Sequence, residues 1–214
     1  VAISTEHDKE LILQRWNDTE VPLPDLTLPQ AFERQAAATP DAVALEADHE
    51  TVSYAQLSSR ASALAGRLSR AGVRPGDTVG ILMERSPDLV AALLAVAKTG
   101  AAYVPLDLRS PVPRMRAIVR AVDTRALVTD RGTVNHPITA GLNVIQADIE
   151  ETGAGDGTRP FPDIACSNDA LLYIMHTSGS TGEPKGAEIS HRNVLALALD
   201  RRLRGAAHER VLFH

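Results

Sequence analysis

A chain of 214 residues with 44% hydrophobic and 23% charged side chains can bury roughly 70% of its extended surface, which excludes a wholly disordered polypeptide. Its formal charge of −5 offers no overall attraction for nucleic acid or an anionic membrane, and 3% aromatics leave no platform for stacking bases. A single cysteine, Cys166, excludes an internal disulfide and a zinc site built on several thiolates, and fits a reducing, cytoplasmic setting.

The first 28 residues are polar and carry Pro22 and Pro24, with one apolar patch around Leu11, Ile12, Leu13 and Trp16. They are expected to form a linker that docks onto the body of residues 29–214. Pro29 suits a first helical position, Phe32 and Ala36 share a face, and Thr39-Pro40 stops the helix. Residues 42–47 read as a strand and 51–53 as its short return. Ser53 followed by Gln56 has the form of a capping box. Leu57, Ala61, Leu64 and Leu68 then lie on one stripe of a helix that Gly72 ends.

Residues 78–83 form an apolar strand. Ser86-Pro87-Asp88 opens the next helix with a cap, a first-turn proline and an acid near the positive end of the dipole. That helix is apolar on nearly all sides, so it is expected between layers. Its apolar run, 89–97, falls far short of the ~20 residues that span a bilayer. Strand 101–105 follows, then a helix from Ser110-Pro111 with Met115, Ile118, Val119 and Val122 on one face, then strands 125–129 and 142–146. Arg109, Arg114, Arg116 and Arg120 are expected as a solvated face, with Asp107 and Asp123 nearby. Residues 151–169 read as a loop, 170–176 as an apolar strand, 177–186 as a polar loop, and about 190–204 as a helix. This alternation predicts an α/β fold with a mainly parallel sheet.

One stretch carries chemistry: TSGSTGEPKG, residues 177–186, directly after an apolar strand. In an open α/β sheet ligands collect at the carboxyl ends of strands. Glycines let backbone N–H groups approach an anion, hydroxyls add hydrogen bonds, and an ammonium neutralises charge, so the stretch reads as a cradle for a polyphosphate. A Walker-type GxxxxGK[ST] loop does not match, because Glu183-Pro184-Lys185-Gly186 follows Gly182. The histidines show no helical metal spacing, so no metal ligand is expected. His176 is expected to pack beside the loop in its neutral form, and Cys166 to be inert.

TSGSTGEPKG, preceded by LLYIMH and followed by AEISHRN, resembles the phosphate-binding signature of the adenylate-forming superfamily, most of all in the adenylation domains of nonribosomal peptide synthetases. Residues 51–68, residues 72–107, and the opening QRWNDTEVPLP with FERQAAATPDAVAL agree in order and spacing. The resemblance implies the N-terminal part of the adenylate-forming (AMP-binding) fold, a layered α/β structure. It implies an ATP-dependent acid–thiol ligase that makes an aminoacyl-adenylate and loads it on the phosphopantetheine of a peptidyl carrier domain, within antibiotic-type peptide synthesis. Thr177, Ser178, Gly179, Ser180, Thr181, Gly182 and Lys185 are then expected to contact the phosphates of ATP with Mg²⁺, and Gly186 to be the turn that folds the loop back.

The opening stretch containing Trp16-Asn17 resembles the linker after an upstream condensation domain. The family's amino-acid pocket, adenine segment and catalytic lysine lie downstream, in the rest of the adenylation domain. No catalytic residue is therefore assigned in these 214 residues, and the piece alone is expected to be inactive. A non-catalytic split or truncated scaffold fragment and an acyl- or aryl-CoA ligase relative stay open as alternatives.

Overall fold

The computed structural model describes residues 5–16, 18, 22–47, 50–148, 161, 162, 164, 166–178 and 184–200. Near the start, α1 (Glu6–Glu10) runs into a single wide helical stretch, Leu11–Arg15. Leu13 and Trp16 there are 69% and 65% exposed, so the expected docking of this apolar patch is not made by those two side chains.

The body begins at α2 (Leu28–Ala38). Thr27 caps it reciprocally with Gln30, and Pro29 lies in the first turn, where a missing N–H costs no helical bond. Next come the hairpin strands β1 (Val43–Ala47) and β2 (Glu50–Ser53), then α3 (Tyr54–Arg70). The Ser53–Gln56 capping box forms as expected: the Gln56 N–H donates to Ser53 Oγ and the Ser53 N–H to Gln56 Oε1, at 3.2 and 2.8 Å. β3 (Thr78–Leu82), α4 (Pro87–Lys98), β4 (Ala102–Pro105), α5 (Val112–Ala121), β5 (Ala126–Thr129) and β6 (Val144–Gln146) follow, each within a few residues of its expected place. The chain continues through β7 (Leu171–Ser178), β8 (Pro184–Ser190) and α6 (His191–Ala198).

Six strands form one sheet in the order β6-β5-β3-β4-β7-β8, parallel throughout except for the antiparallel β7–β8 pair. Both faces are covered. On one, Val79, Ile81, Ala126 and Val128 pack against Leu64 and Leu68 of α3 and Ala92, Ala95 and Val96 of α4. On the other, Leu82, Val104, Leu127 and Ile174 meet Met115, Ile118 and Val119 of α5. The neighbours Ala126, Leu127 and Val128 thus divide between the two cores, as the period of two in a strand requires. Such two-sided burial is why β3 and β5 read as continuous apolar runs.

α4 lies between layers as expected: seven of its residues, Ala91, Ala92, Leu94, Ala95, Val96, Ala97 and Lys98, are buried. Lys98 is the exception in chemistry. Its ammonium reaches Glu33 of α2 at 2.5 Å, and the Glu33 carboxylate also accepts from Ser58 of α3 at 2.8 Å. One ion pair therefore ties three helices together.

Candidate phosphate site

The strand order puts the carboxyl ends of β3, β4, β5 and β7 along one edge of the sheet, and the polar stretch starts from that edge. β7 is longer than expected, and the segment after it is shorter. Thr177 pairs with Lys185, and Ser178 with Pro184, so the antiparallel ladder continues two residues into what reads as loop in sequence. Only 179–183 remain between the strands, and Gly179, Ser180, Thr181 and Gly182 lie outside the described residues. The strand β8 is absent from the sequence reading because Pro184 and Gly186 both weaken strand signals. Proline is nevertheless tolerated at the first residue of a strand, and β8 ends the sheet order.

Gly186 corrects an expectation. It is not a turn: it lies inside β8, directly opposite His176. A Cβ at this position would come within 3.0 Å of Ile174 and 3.3 Å of the His176 ring. Both contacts are tight, so a side chain at 186 would require Ile174 and His176 of β7 to give way by a few tenths of an ångström.

Pleating assigns the side chains of the hairpin to two faces. Ile174 packs against α5 in the second core, so His176, two residues on, faces the same side. Tyr173, Met175 and Thr177 face the other side, together with Lys185, the partner of Thr177. Tyr173 stacks on Tyr103 of β4, with ring centroids 5.1 Å apart and an interplanar angle of 17°. Burial, with a smaller contribution from Tyr173, raises the Tyr103 phenol well above its ordinary range, so it stays a neutral hydrogen-bonding group.

Thr177 and Lys185 are exposed at the mouth of the hairpin, and Lys185 has no ion-pair partner among the described residues. His176 is half-buried. Burial first, and the charge of Arg114 second, push its pKa below the ordinary imidazole value, so it is neutral at pH 7. Its Nδ1 is buried without a hydrogen-bond partner among the described residues. Cys166 is half-buried, with its thiol pKa raised by burial, the opposite of an activated nucleophile. Immediately after β8, His191 is almost wholly buried, and its Nδ1 accepts the Leu28 N–H at 3.2 Å. That tie between α6 and α2 had no recognisable signal in the sequence, because its partners stand 163 residues apart.

The family model of AMP-binding enzymes matches residues 32–214, and the chain belongs to that family. Within it, the chain corresponds to the N-terminal part of nonribosomal peptide synthetase adenylation domains. It is 41% identical over 203 residues to malpibaldin synthetase of Mortierella alpina, covering 91% of this chain and 4% of that one. It is 34% identical over 194 residues to bacitracin synthase 1 of Bacillus licheniformis, covering 90% of this chain and 4% of that one.

Among solved structures, the nonribosomal peptide synthetase FmoA3 with α-methyl-L-serine-AMP bound superposes with a TM-score of 0.82 at 32% identity, over 92% of this chain and 22% of that one. The NpsA N-terminal subdomain of Klebsiella oxytoca, bound to 3-hydroxybenzoyl-AMSN, gives 0.67 at 31%, over 81% and 43%. The chain thus spans a few per cent of the length of these curated relatives and less than half of these solved ones.

Proposed function

We propose that this chain is the phosphate-holding part of an amino-acid-adenylating domain. Residues 1–28 serve as the linker from a condensation domain and 29–214 as the first part of the adenylation core. The whole protein uses ATP to join an amino acid to AMP, releasing pyrophosphate, and then transfers the acyl group to the phosphopantetheine thiol of a carrier domain. The observation that supports this reading is the cross-strand pair Thr177–Lys185, a hydroxyl beside an ammonium with no ion-pair partner among the described residues, at the end of the hairpin next to 179–183 and at the carboxyl edge of the sheet.

Hydroxyls, backbone N–H groups and an ammonium suit phosphate oxygens. Mg²⁺ fits this donor set as an ion held through the nucleotide's phosphates. When bound, it neutralises charge on the departing pyrophosphate. Thr177, Ser178, Gly179, Ser180, Thr181 and Gly182 then orient the β- and γ-phosphates, and Lys185 offsets the charge that develops on them, so their contribution is positioning plus electrostatics. The adenine-binding, amino-acid-binding and catalytic groups belong to the rest of the domain, and the 214 residues alone do not complete the reaction.

No helix among the described residues is long and apolar enough to cross a membrane, which is compatible with work in the cytoplasm. The aryl ligand in the NpsA relative supports one second reading, activation of an aryl acid. A panel of amino and aryl acids in a pyrophosphate-exchange assay of the complete polypeptide separates the two. In the same assay Lys185→Ala lowers the exchange rate by on the order of 10²–10³, the usual cost of one lost electrostatic donor. An unchanged rate refutes the phosphate-site reading.

A further inference from the structure

An α-helix cannot satisfy the N–H groups of its own first turn. In α2, Pro29 has no such group and the Gln30 N–H donates to Thr27 Oγ1 at 3.4 Å, which leaves Leu28 to find a partner outside the helix. That partner is His191, the first residue of α6, whose Nδ1 accepts the Leu28 N–H at 3.2 Å. His191 is 1% exposed, and its own backbone N–H donates to the Ala170 carbonyl at 3.1 Å, just before β7. The Arg192 N–H donates to the Asn168 carbonyl of the same turn at 2.7 Å. A single buried imidazole thus lies where the N-termini of two helices converge.

The geometry itself opposes a proton on that ring. Protonation would turn Nδ1 into a donor facing another donor, the Leu28 N–H, and set a full positive charge against the positive ends of both helix dipoles. The charged groups on the surrounding elements are engaged elsewhere or turned to solvent. Glu33 of α2 pairs with Lys98 and Arg192 of α6 with Asp169, while Arg34 of α2 and Lys185 and Glu188 of β8 are exposed. Burial holds the imidazole below its ordinary pKa of 6.5. We propose that His191 is a proton-operated latch: neutral, it pins the first turn of α2 to the base of the β7–β8 hairpin, and protonated, it lets that turn go. Glu33 keeps the middle of α2 tied to α3 and α4, so the part released is the first turn with residues 22–27, which lead the chain into the body.

The test is amide hydrogen exchange of the whole chain, followed residue by residue by NMR from pH 7.5 to pH 5.5 and corrected for the intrinsic pH dependence of exchange. The Gln56 N–H, capped by Ser53 with no titratable partner, is the internal reference. Protection at Leu28 should fall by on the order of tenfold across that range, the factor for an imidazole that regains its ordinary pKa once the turn opens, while Gln56 keeps its protection. His191→Gln, whose amide oxygen accepts at every pH, should hold the Leu28 protection level, and His191→Leu should lower it throughout. Protection at Leu28 that stays constant in the wild type, falls equally at Gln56, falls equally in His191→Gln or survives in His191→Leu overturns the latch. Should the variants fail to fold, the nitrogen NMR spectrum of the wild-type imidazole decides. An unprotonated Nδ1 at pH 7.5 that titrates below 6.5 supports the latch, and a protonated Nδ1 or a titration at or above 6.5 overturns it. No readout here involves phosphate binding, so a failed latch leaves the phosphate-site reading intact.

Discussion

The central strands β3 and β5 and the β7–β8 hairpin share one sheet but are built on opposite terms. In the centre, Leu82, Leu127 and Val128 are wholly buried between helical layers, and every apolar face has a partner. At the end of the hairpin next to 179–183, Thr177 and Lys185 stand exposed, and the Nδ1 of His176 lies buried with no hydrogen-bond partner among the described residues. The first region closes on itself, while the second leaves polar groups uncommitted. Stability is thereby assigned to the first region and, under the proposed function, ligand binding to the second, so a substitution should disturb one without the other.

The strongest way to break that division is a pair of variants. Leu127→Ala removes a side chain that touches both α5 and its neighbouring strands, and should cost about 2–5 kcal/mol, read as a lowered urea midpoint. Lys185→Ala should leave the same midpoint within about 0.5 kcal/mol, as expected for an exposed surface position. Equal shifts would erase the distinction between the two regions.

The Lys98–Glu33 pair sharpens it from within the core. Glu33→Ala strands the Lys98 ammonium, only 5% exposed, and should cost toward the low end of the roughly 3–5 kcal/mol typical of a broken buried pair, because Glu33 itself is 31% exposed. The double variant Glu33→Ala/Lys98→Met should recover part of that loss by removing the uncompensated charge. A double variant no more stable than the single one would make the pair's role steric.

The smallest effect is set by pH. His191 and His176 both sit below their ordinary value of 6.5, chiefly through burial, so the folded chain refuses protons that the unfolded chain accepts. Their contribution is complete above about pH 6.5 and is lost as the pH falls through the window beneath. Asp107 and Asp148, lowered from 3.8, act only in a more acidic range. Denaturation midpoints from pH 8 to pH 5 should therefore fall below 6.5, and His191→Gln should flatten the decline. A profile that is flat in the wild type would overturn the assignment.

Most of this architecture is written locally. The capping pairs Thr27–Gln30 and Ser53–Gln56 and the apolar stripes of α3 and α5 depend on residues a few positions apart, which is why the helices stand close to where periodicity puts them. The stretch 177–186 stands out in the sequence for the same reason, as ten consecutive residues rich in glycine and hydroxyls. What was hidden depends on distant partners. The strand character of β8 comes from its ladder with β7, and the glycine at 186 answers to Ile174 and His176 across that ladder.

The bond from Leu28 to His191 has a consequence for how the chain is made. A contact spanning 163 residues closes a very large loop, and the entropy of that closure is offset only after the intervening sheet has condensed. During vectorial synthesis α2 emerges before α3 and α4, to which its Glu33 ties it, yet its first turn must wait for almost the whole of this segment before it meets His191. The start of α2 is thus among the last parts to be locked, at a moment when the β7–β8 hairpin has already left the ribosome.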